Sequence, residues 1–237
     1  MTAEEQKRAV AAAAVAWVEP RLHRDLVLGI GTGSTADHFI DLLAPHRGRF
    51  AGVVASSSRT ADRLASLSVT VFDLNDVGEL PIYVDGADEI NAALEMTKGG
   101  GGALTREKIV AAASVVFVCI ADSSKRVTAL GTFPLPIEVI PMARAQVVRA
   151  LEALGRVEDL GDSTFTVRAN AGGQDVVTDN GNLIVDVRGW TIRDPRSIET
   201  AIGGIVGVVE SGLFALRPAD VLLLSGASGV ETFGRPR

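Results

Sequence analysis

Leu26-Val27-Leu28-Gly29-Ile30-Gly31-Thr32-Gly33-Ser34-Thr35-Ala36 passes from an apolar β-rich run through a glycine turn into a helical stretch. That order has the geometry of a phosphate site. Glycines permit close backbone approach, the start of the helix presents N–H donors and the positive end of its dipole, and Thr32, Ser34 and Thr35 add hydroxyls. From Gly31 the letters also satisfy the looser dinucleotide fingerprint G-x-G-x-x-A. A dinucleotide site would normally carry an acidic residue at the end of the second strand to hold a ribose. The residues there are Ser56-Ser57-Ser58-Arg59, so a phosphate monoester is favoured over NAD.

Outward from this turn, β-rich runs alternate with helical stretches. Strands are expected at 26–29, 52–55, 69–72, 82–84 and 115–120, with helices at 34–43, 60–67 and 103–113. Alternation of this kind, with nearly continuous apolar strands, indicates a parallel sheet covered on both faces. Ligands bind outside the carboxyl ends of such strands, and each unusual loop of this half follows a strand. After Gly131 the texture changes to β runs at 135–140, 164–168, 176–178, 183–187 and 206–210, with helices at 143–154 and 195–202. The arrangement suggests the β-α-β-β-α-β order of a small ferredoxin-like α+β unit. Asn180-Gly181 is a hairpin signal within it. The last apolar run, 221–224, could rejoin the first sheet. The fold class is therefore α/β: a Rossmann-like parallel-sheet domain over 1–131 plus 208–237, with a smaller inserted ferredoxin-like α+β domain over 132–207.

With 237 residues, 47% of them apolar, the chain can bury a substantial core. Its net charge of −6 and pI near 5.1 argue against nucleic acid or an anionic membrane as the main partner, since either favours a clustered basic surface. Small anionic ligands remain possible at local sites. The single cysteine, Cys119, excludes an internal disulfide and reads as a buried strand residue. The Ala-rich run 9–18 is flanked by Glu4, Glu5, Trp17, Glu19 and Pro20, and reads as a first helix rather than a signal peptide. No stretch reaches the ~20 apolar residues of a membrane span.

Three further loops carry chemistry. In Lys98-Gly99-Gly100-Gly101-Gly102-Ala103-Leu104-Thr105-Arg106-Glu107-Lys108, a four-glycine loop lies between a cation and a carboxylate. Glycines bring backbone N–H groups close to a ligand, and Glu107 falls one turn inside the following helix, on a stripe with Ala103 and Val110. Shielded by substrate, that carboxylate would move toward the pKa a general base needs near neutrality. In Val84-Asp85-Gly86-Ala87-Asp88-Glu89-Ile90, Asp85 and Asp88 can converge on one ligand, with Lys98 offsetting their repulsion. No third carboxylate lies at a recognisable magnesium spacing. In Asp122-Ser123-Ser124-Lys125, the lysine can meet a phosphate or a developing oxyanion. His23, His38 and His46 form no triad or metal spacing.

Taken in order, Gly31 to Ala36, Asp85-Gly86-Ala87-Asp88-Glu89, Lys98 to Lys108, and Thr178-Asp179-Asn180-Gly181-Asn182 closely resemble ribose-5-phosphate isomerases of the A type. The similarity runs from the first helix to the last strand. It implies a reversible conversion of D-ribose 5-phosphate and D-ribulose 5-phosphate in the pentose phosphate pathway, without metal or organic cofactor, by a cytoplasmic homodimer or homotetramer. Residue by residue, Glu107 matches the family's general base, which moves a proton between C2 and C1 through a cis-enediolate. Asp85 and Asp88 match the acids that bind the sugar and assist ring opening, and Lys98 the cation that stabilises the enediolate oxygens. Thr32, Gly33, Ser34, Thr35, Gly86, Ala87, Gly99, Gly100, Gly101 and Lys125 match substrate-binding positions, with phosphate contact the duty of Lys125. Ile205-Val206 stands where the family pattern has a proline, and 168–173 fits that pattern loosely. The rival readings are a non-catalytic sugar-phosphate sensor, or a coenzyme A transferase-like enzyme with a glutamate nucleophile.

Overall fold

The computed structural model describes residues 1–234. In chain order its elements begin with α1 (Ala3–Val18), β1 (Val27–Ile30), α2 (Ser34–Leu43), β2 (Gly52–Ala55), α3 (Ser58–Ser66) and β3 (Leu80–Asp85). There follow β4 (Glu89–Ile90), β5 (Met96–Thr97), α4 (Leu104–Ala112), β6 (Ser114–Asp122), β7 (Leu135–Val139), α5 (Arg144–Val157) and β8 (Thr164–Val167). The chain closes with β9 (Leu183–Arg188), α6 (Pro195–Gly203), β10 (Val208–Ser211), β11 (Leu213–Phe214), β12 (Val221–Gly226) and β13 (Gly229–Gly234). Two compact units result. The first comprises Met1–Ala87, Arg106–Arg126 and the chain from Ala219 on, and the second Asp88–Thr105 with Val127–Pro218.

The first unit is built on a six-stranded sheet of order β13-β12-β6-β3-β1-β2. All neighbours are parallel except β13, which folds back antiparallel on β12. The interior strands β1, β3, β6 and β12 are buried along most of their length, which explains their continuous apolar sequence. From β1 the chain passes to β2 on one side and then to β3 on the other. That reversal makes the carboxyl ends of β1 and β3 the switch point of the sheet, where such folds bind ligands. The helix α1 starts at a capping box, in which the Thr2 hydroxyl accepts from the Glu5 N–H and the Glu5 carboxylate accepts from the Thr2 N–H. It buries Val10, Ala11, Ala14, Val15 and Val18, a spacing of three and four residues. Phe39, Ile40 and Leu43 of α2 join the same core.

The second unit holds a four-stranded antiparallel sheet of order β10-β7-β9-β8 and a three-stranded sheet of order β11-β5-β4. In the larger one, α5 links β7 to β8 and α6 links β9 to β10, which is the ferredoxin-like β-α-β-β-α-β order. Val147, Leu151, Ile198 and Ile202 bury the helix faces against Ile137, Val139, Val185 and Val187.

These units differ in extent from the division drawn on the sequence. Residues 88–105 join the second unit because β4 pairs with β5, and β5 with β11, rather than with the parallel sheet. The buried carboxylate of Glu89 adds to this by accepting the N–H groups of Gly131 (2.8 Å) and Phe133 (2.7 Å). Residues 127–131 and 208–218 belong there too, 208–211 as the edge strand beside β7. Residues 235–237, assigned on sequence to the larger domain, lie outside the described residues. Two expected strands shrink to single bridges. Val71 pairs with Val53 only, since Asp73 caps a turn immediately after it, and Val177 pairs with Leu183 only, just before the Asn180-Gly181 turn.

Candidate active site

The first unit carries the glycine turn, Asp85, Gly86, Ala87, Glu107 and Lys125, and the second carries Asp88, Lys98, Gly99, Gly100 and Gly101. The chain passes from one unit to the other inside both motifs, at 87/88 and at 105/106.

In the first unit, β1 runs out at Ile30 and the Gly31 N–H donates to the carbonyl of Val84 on β3 (2.9 Å). This contact brings the two strand ends so close that a Cβ on Gly31 would stand 1.9 Å from the Asp85 carboxyl carbon. The first glycine of the turn is therefore required by space rather than by φ. Asp85 is fully buried, and its Oδ1 accepts from the N–H groups of Thr32 (3.1 Å) and Gly86 (2.7 Å) while its Oδ2 accepts from the Tyr83 hydroxyl. Gly33, at φ 132°, then opens α2 without a side-chain cap, leaving first-turn N–H groups of the helix to a ligand. Ser34 is exposed and Thr35 half-buried at this end. The Thr32 hydroxyl instead turns inward, bonded to Ser56 (2.9 Å), Ser57 (2.7 Å) and Thr60 (3.0 Å). Its side chain ties the turn to β2 and α3.

Tyr83, the sole tyrosine, lies two residues before Asp85 on the same face of β3 and is fully buried. Its hydroxyl is held well above the ordinary tyrosine pKa, first by burial and then by the negative charges of Asp85 and Glu107. Both carboxylates therefore act on one buried hydroxyl. Glu107 is 3% exposed, in the first turns of α4. Lys125 is half-buried in the 3₁₀ turn Ser123–Lys125, which Asp122 caps through the Ser124 N–H and which Gln6 of α1 holds by the Ser123 hydroxyl (3.2 Å).

In the second unit, the β4–β5 hairpin sets Glu89 opposite Thr97, so Asp88 and Lys98 flank the same pair. The Asp88 N–H donates to the Thr97 carbonyl (2.9 Å) and the Lys98 N–H to that of Gly212 (2.8 Å). Lys98 is 2% exposed, with its Nζ 5.5 Å from the Phe214 ring centroid. Asp88 Oδ2 accepts the Gly100 N–H at 2.8 Å. Gly99 and Gly102 take φ of 102° and 82°, conformations only glycine adopts freely, and the Gly102 N–H closes the turn on the Gly99 carbonyl (2.9 Å). Among the described residues no cluster of three or more His, Cys, Asp or Glu is arranged to hold a metal.

The family described as ribose 5-phosphate isomerase A (phosphoriboisomerase A) matches residues 52–229. The chain belongs to the ribose 5-phosphate isomerase A family. The matched segment includes Asp85, Asp88, Lys98, Glu107 and Lys125. Ribose 5-phosphate isomerase A from Neisseria gonorrhoeae is 42% identical, with a TM-score of 0.89 over 100% of this chain and 99% of that one. The Methanocaldococcus jannaschii enzyme is 35% identical, with a TM-score of 0.87 over 99% and 100%. A D-ribose-5-phosphate isomerase in complex with phospho-erythronic acid is 33% identical, with a TM-score of 0.86 over 99% and 100%. The family comprises aldose-ketose isomerases that interconvert ribose 5-phosphate and ribulose 5-phosphate.

Four residues in contact with or bracing these motifs, Tyr83 in the first unit and Glu138, Arg168 and Asp186 in the second, are not among the sequence candidates. Tyr83 was legible as a lone tyrosine in register with Asp85. Glu138 on β7, 1% exposed, gathers the Thr105 hydroxyl, the Thr178 hydroxyl (2.8 Å) and the Asn180 and Asn182 amides (3.2 and 2.8 Å). It ties the end of the glycine loop to the Thr178–Asn182 turn. Arg168 and Asp186 act on the loop itself. Nothing local distinguishes those three in sequence, since their partners lie far along the chain.

Proposed function

We propose that Glu107 is the general base of this isomerase, moving a proton between C2 and C1 of the sugar phosphate through a cis-enediolate. Asp85 and Asp88 bind the sugar and assist ring opening and hydroxyl proton movement, and Lys98 stabilises the enediolate oxygens. The turn at Thr32, Gly33, Ser34 and Thr35, together with Gly86, Ala87, Gly99, Gly100, Gly101 and Lys125, holds the substrate, with the phosphate assigned to Lys125 and the uncapped start of α2. No metal or organic cofactor enters this scheme. The observation that carries it is the pair of buried carboxylates, Asp85, which accepts from the Tyr83 hydroxyl at the switch point of the sheet, and Glu107, whose charge acts on the same hydroxyl. A carboxylate removed from water is suited to proton abstraction near neutral pH. A sugar phosphate ligand is further supported by the phospho-erythronic acid complex of the related isomerase.

The reaction is placed, as part of the same proposal, in the cytoplasm and in the non-oxidative pentose phosphate pathway. Assembly as a homodimer or homotetramer is supported by side chains of the second unit. Ile140, Met142, Val206 and Val209 are exposed, Met142 by 94%, at or beside the edge strand β10.

The deciding experiment incubates the purified protein with ribose 5-phosphate and follows ketose formation, beside Glu107→Gln. The substitution should leave substrate binding intact and lower kcat by about 10²–10⁴-fold, the usual contribution of a positioned base. Near-normal turnover would remove Glu107 from the mechanism. Substrate binding with no turnover by the unsubstituted protein would favour a sensor.

A further inference from the structure

We infer that Arg168, locked in place by Asp186, is a positioning residue that fixes one peptide plane of the glycine loop and through it the carboxylate of Asp88. The inference rests on the reading of Asp88 as a substrate-handling acid.

Arg168 follows β8 directly, and its N–H donates to the Ile184 carbonyl (2.8 Å). This extends the pairing that sets Val167 opposite Val185, and it aims the side chain along β9 toward Asp186. The guanidinium forks onto the Asp186 carboxylate, with Nε to Oδ2 at 2.9 Å and Nη2 to Oδ1. Arg168 and Asp186 side chains are only 16% and 12% exposed, so the pair is shielded and geometrically locked. Nη1 then donates to the carbonyls of Gly99 (2.8 Å) and Gly100 (3.1 Å).

The Gly99 carbonyl and the Gly100 N–H belong to one peptide group. Its oxygen accepts from Arg168, and its N–H donates to Asp88 Oδ2 at 2.8 Å. The plane is thus held at both ends, cation to carbonyl and amide to carboxylate, in the sense in which each bond polarises the other favourably. Four consecutive glycines leave such a plane free to rotate. A flipped plane would turn its carbonyl toward the Asp88 carboxylate. Arg168 acts against that alternative together with the Gly102 N–H, which donates to the same Gly99 carbonyl. A lysine could not reproduce the arrangement, because a point charge cannot grip a carboxylate and two carbonyls at once.

The experiment compares Arg168→Ala, Arg168→Lys and Asp88→Asn with the unsubstituted enzyme. In folded Arg168→Ala, kcat should fall about 30- to 100-fold, as for a group displaced by about 1 Å, while KM changes less than about threefold. Arg168→Lys should lie between the two. Guanidinium chloride far below denaturing concentrations should restore part of kcat to Arg168→Ala and none to Asp88→Asn, a response that a merely structural role would not produce. If Arg168→Ala fails to fold, Arg168→Lys carries the test, with a loss of about tenfold in kcat expected. Folded Arg168→Ala with kcat near that of the unsubstituted enzyme, or a loss that tracks unfolding and ignores guanidinium, overturns the inference. When Asp88→Asn is impaired in either case, only the role of Arg168 has failed. An undiminished Asp88→Asn enzyme refutes the reading of Asp88 and this inference with it.

Discussion

Gly31→Ala tests the coupling between the glycine turn and Asp85 with a single methyl group. Gly31 does not occupy the left-handed region, so an alanine there meets no backbone penalty. The added Cβ would stand 1.9 Å from Cγ and Oδ1 of Asp85, whereas ordinary contact begins at 3.4 Å, so something must move by 3.4 − 1.9 = 1.5 Å. The carboxylate cannot yield that distance and keep its bonds to the Thr32 and Gly86 N–H groups. Losing one or both, at about 1.5–3 kcal/mol for each bond to a charged group, places the destabilisation near 3 kcal/mol. For a chain of this size that lowers Tm by about 6–12 °C. An acid displaced by more than 1 Å should also lose about 10²-fold in kcat/KM. Gly48→Ala is the control, since a Cβ there meets nothing within 4 Å. Both variants are measured by thermal denaturation and by ketose formation from ribose 5-phosphate. Gly31→Ala with the Tm and kcat/KM of Gly48→Ala would refute the reasoning, because the carboxylate would then have room the structure denies it.

Three further outcomes follow from the same contacts. Because the folded-state pKa of Tyr83 is raised above its ordinary value of about 10, its contribution to stability is complete below that pH and lost as pH rises through the folded value. Denaturant midpoints should therefore fall above about pH 10, and Tyr83→Phe should flatten that fall; an unchanged slope would show that the hydroxyl titrates as it does in the unfolded chain. Glu138→Ala leaves two hydroxyls and two amides without their buried acceptor, and should cost about 3 kcal/mol or more, read as a Tm lower by at least about 6 °C, whereas Glu138→Gln should recover part of it. Activity should survive a strong chelator, because the enediolate charge is assigned to Lys98; a loss reversed by added magnesium would transfer that duty to a metal.

The parallel sheet was legible from its continuous apolar strands, and the ferredoxin-like unit from the change of pattern after Gly131, because both signals arise from periodicities within a few residues. The apolar run 221–224 rejoins the first sheet as the sequence suggested, forming β12 between β6 and β13. The unit boundaries were less legible, since the short β4–β5 hairpin is completed by β11, a two-residue strand more than a hundred residues further along the chain. The site shows the same division. Glycines next to strand ends, and carboxylates next to glycines, mark Gly31, Asp85, Lys98 and Glu107 because each motif is contiguous. Nothing contiguous announces that the Thr32 hydroxyl turns inward to Ser56, Ser57 and Thr60. The sequence by itself determined the alternation of elements and nominated the glycine turn, the acids and the cation as candidates, since those follow from local propensity and from residue chemistry. Only the tertiary structure decided that Gly31 must be glycine because β1 and β3 press the turn onto Asp85, and that Arg168 and Asp186 hold the peptide plane facing Asp88. Contacts of that kind depend on where distant strands pair, and strand pairing is a property of the folded chain as a whole.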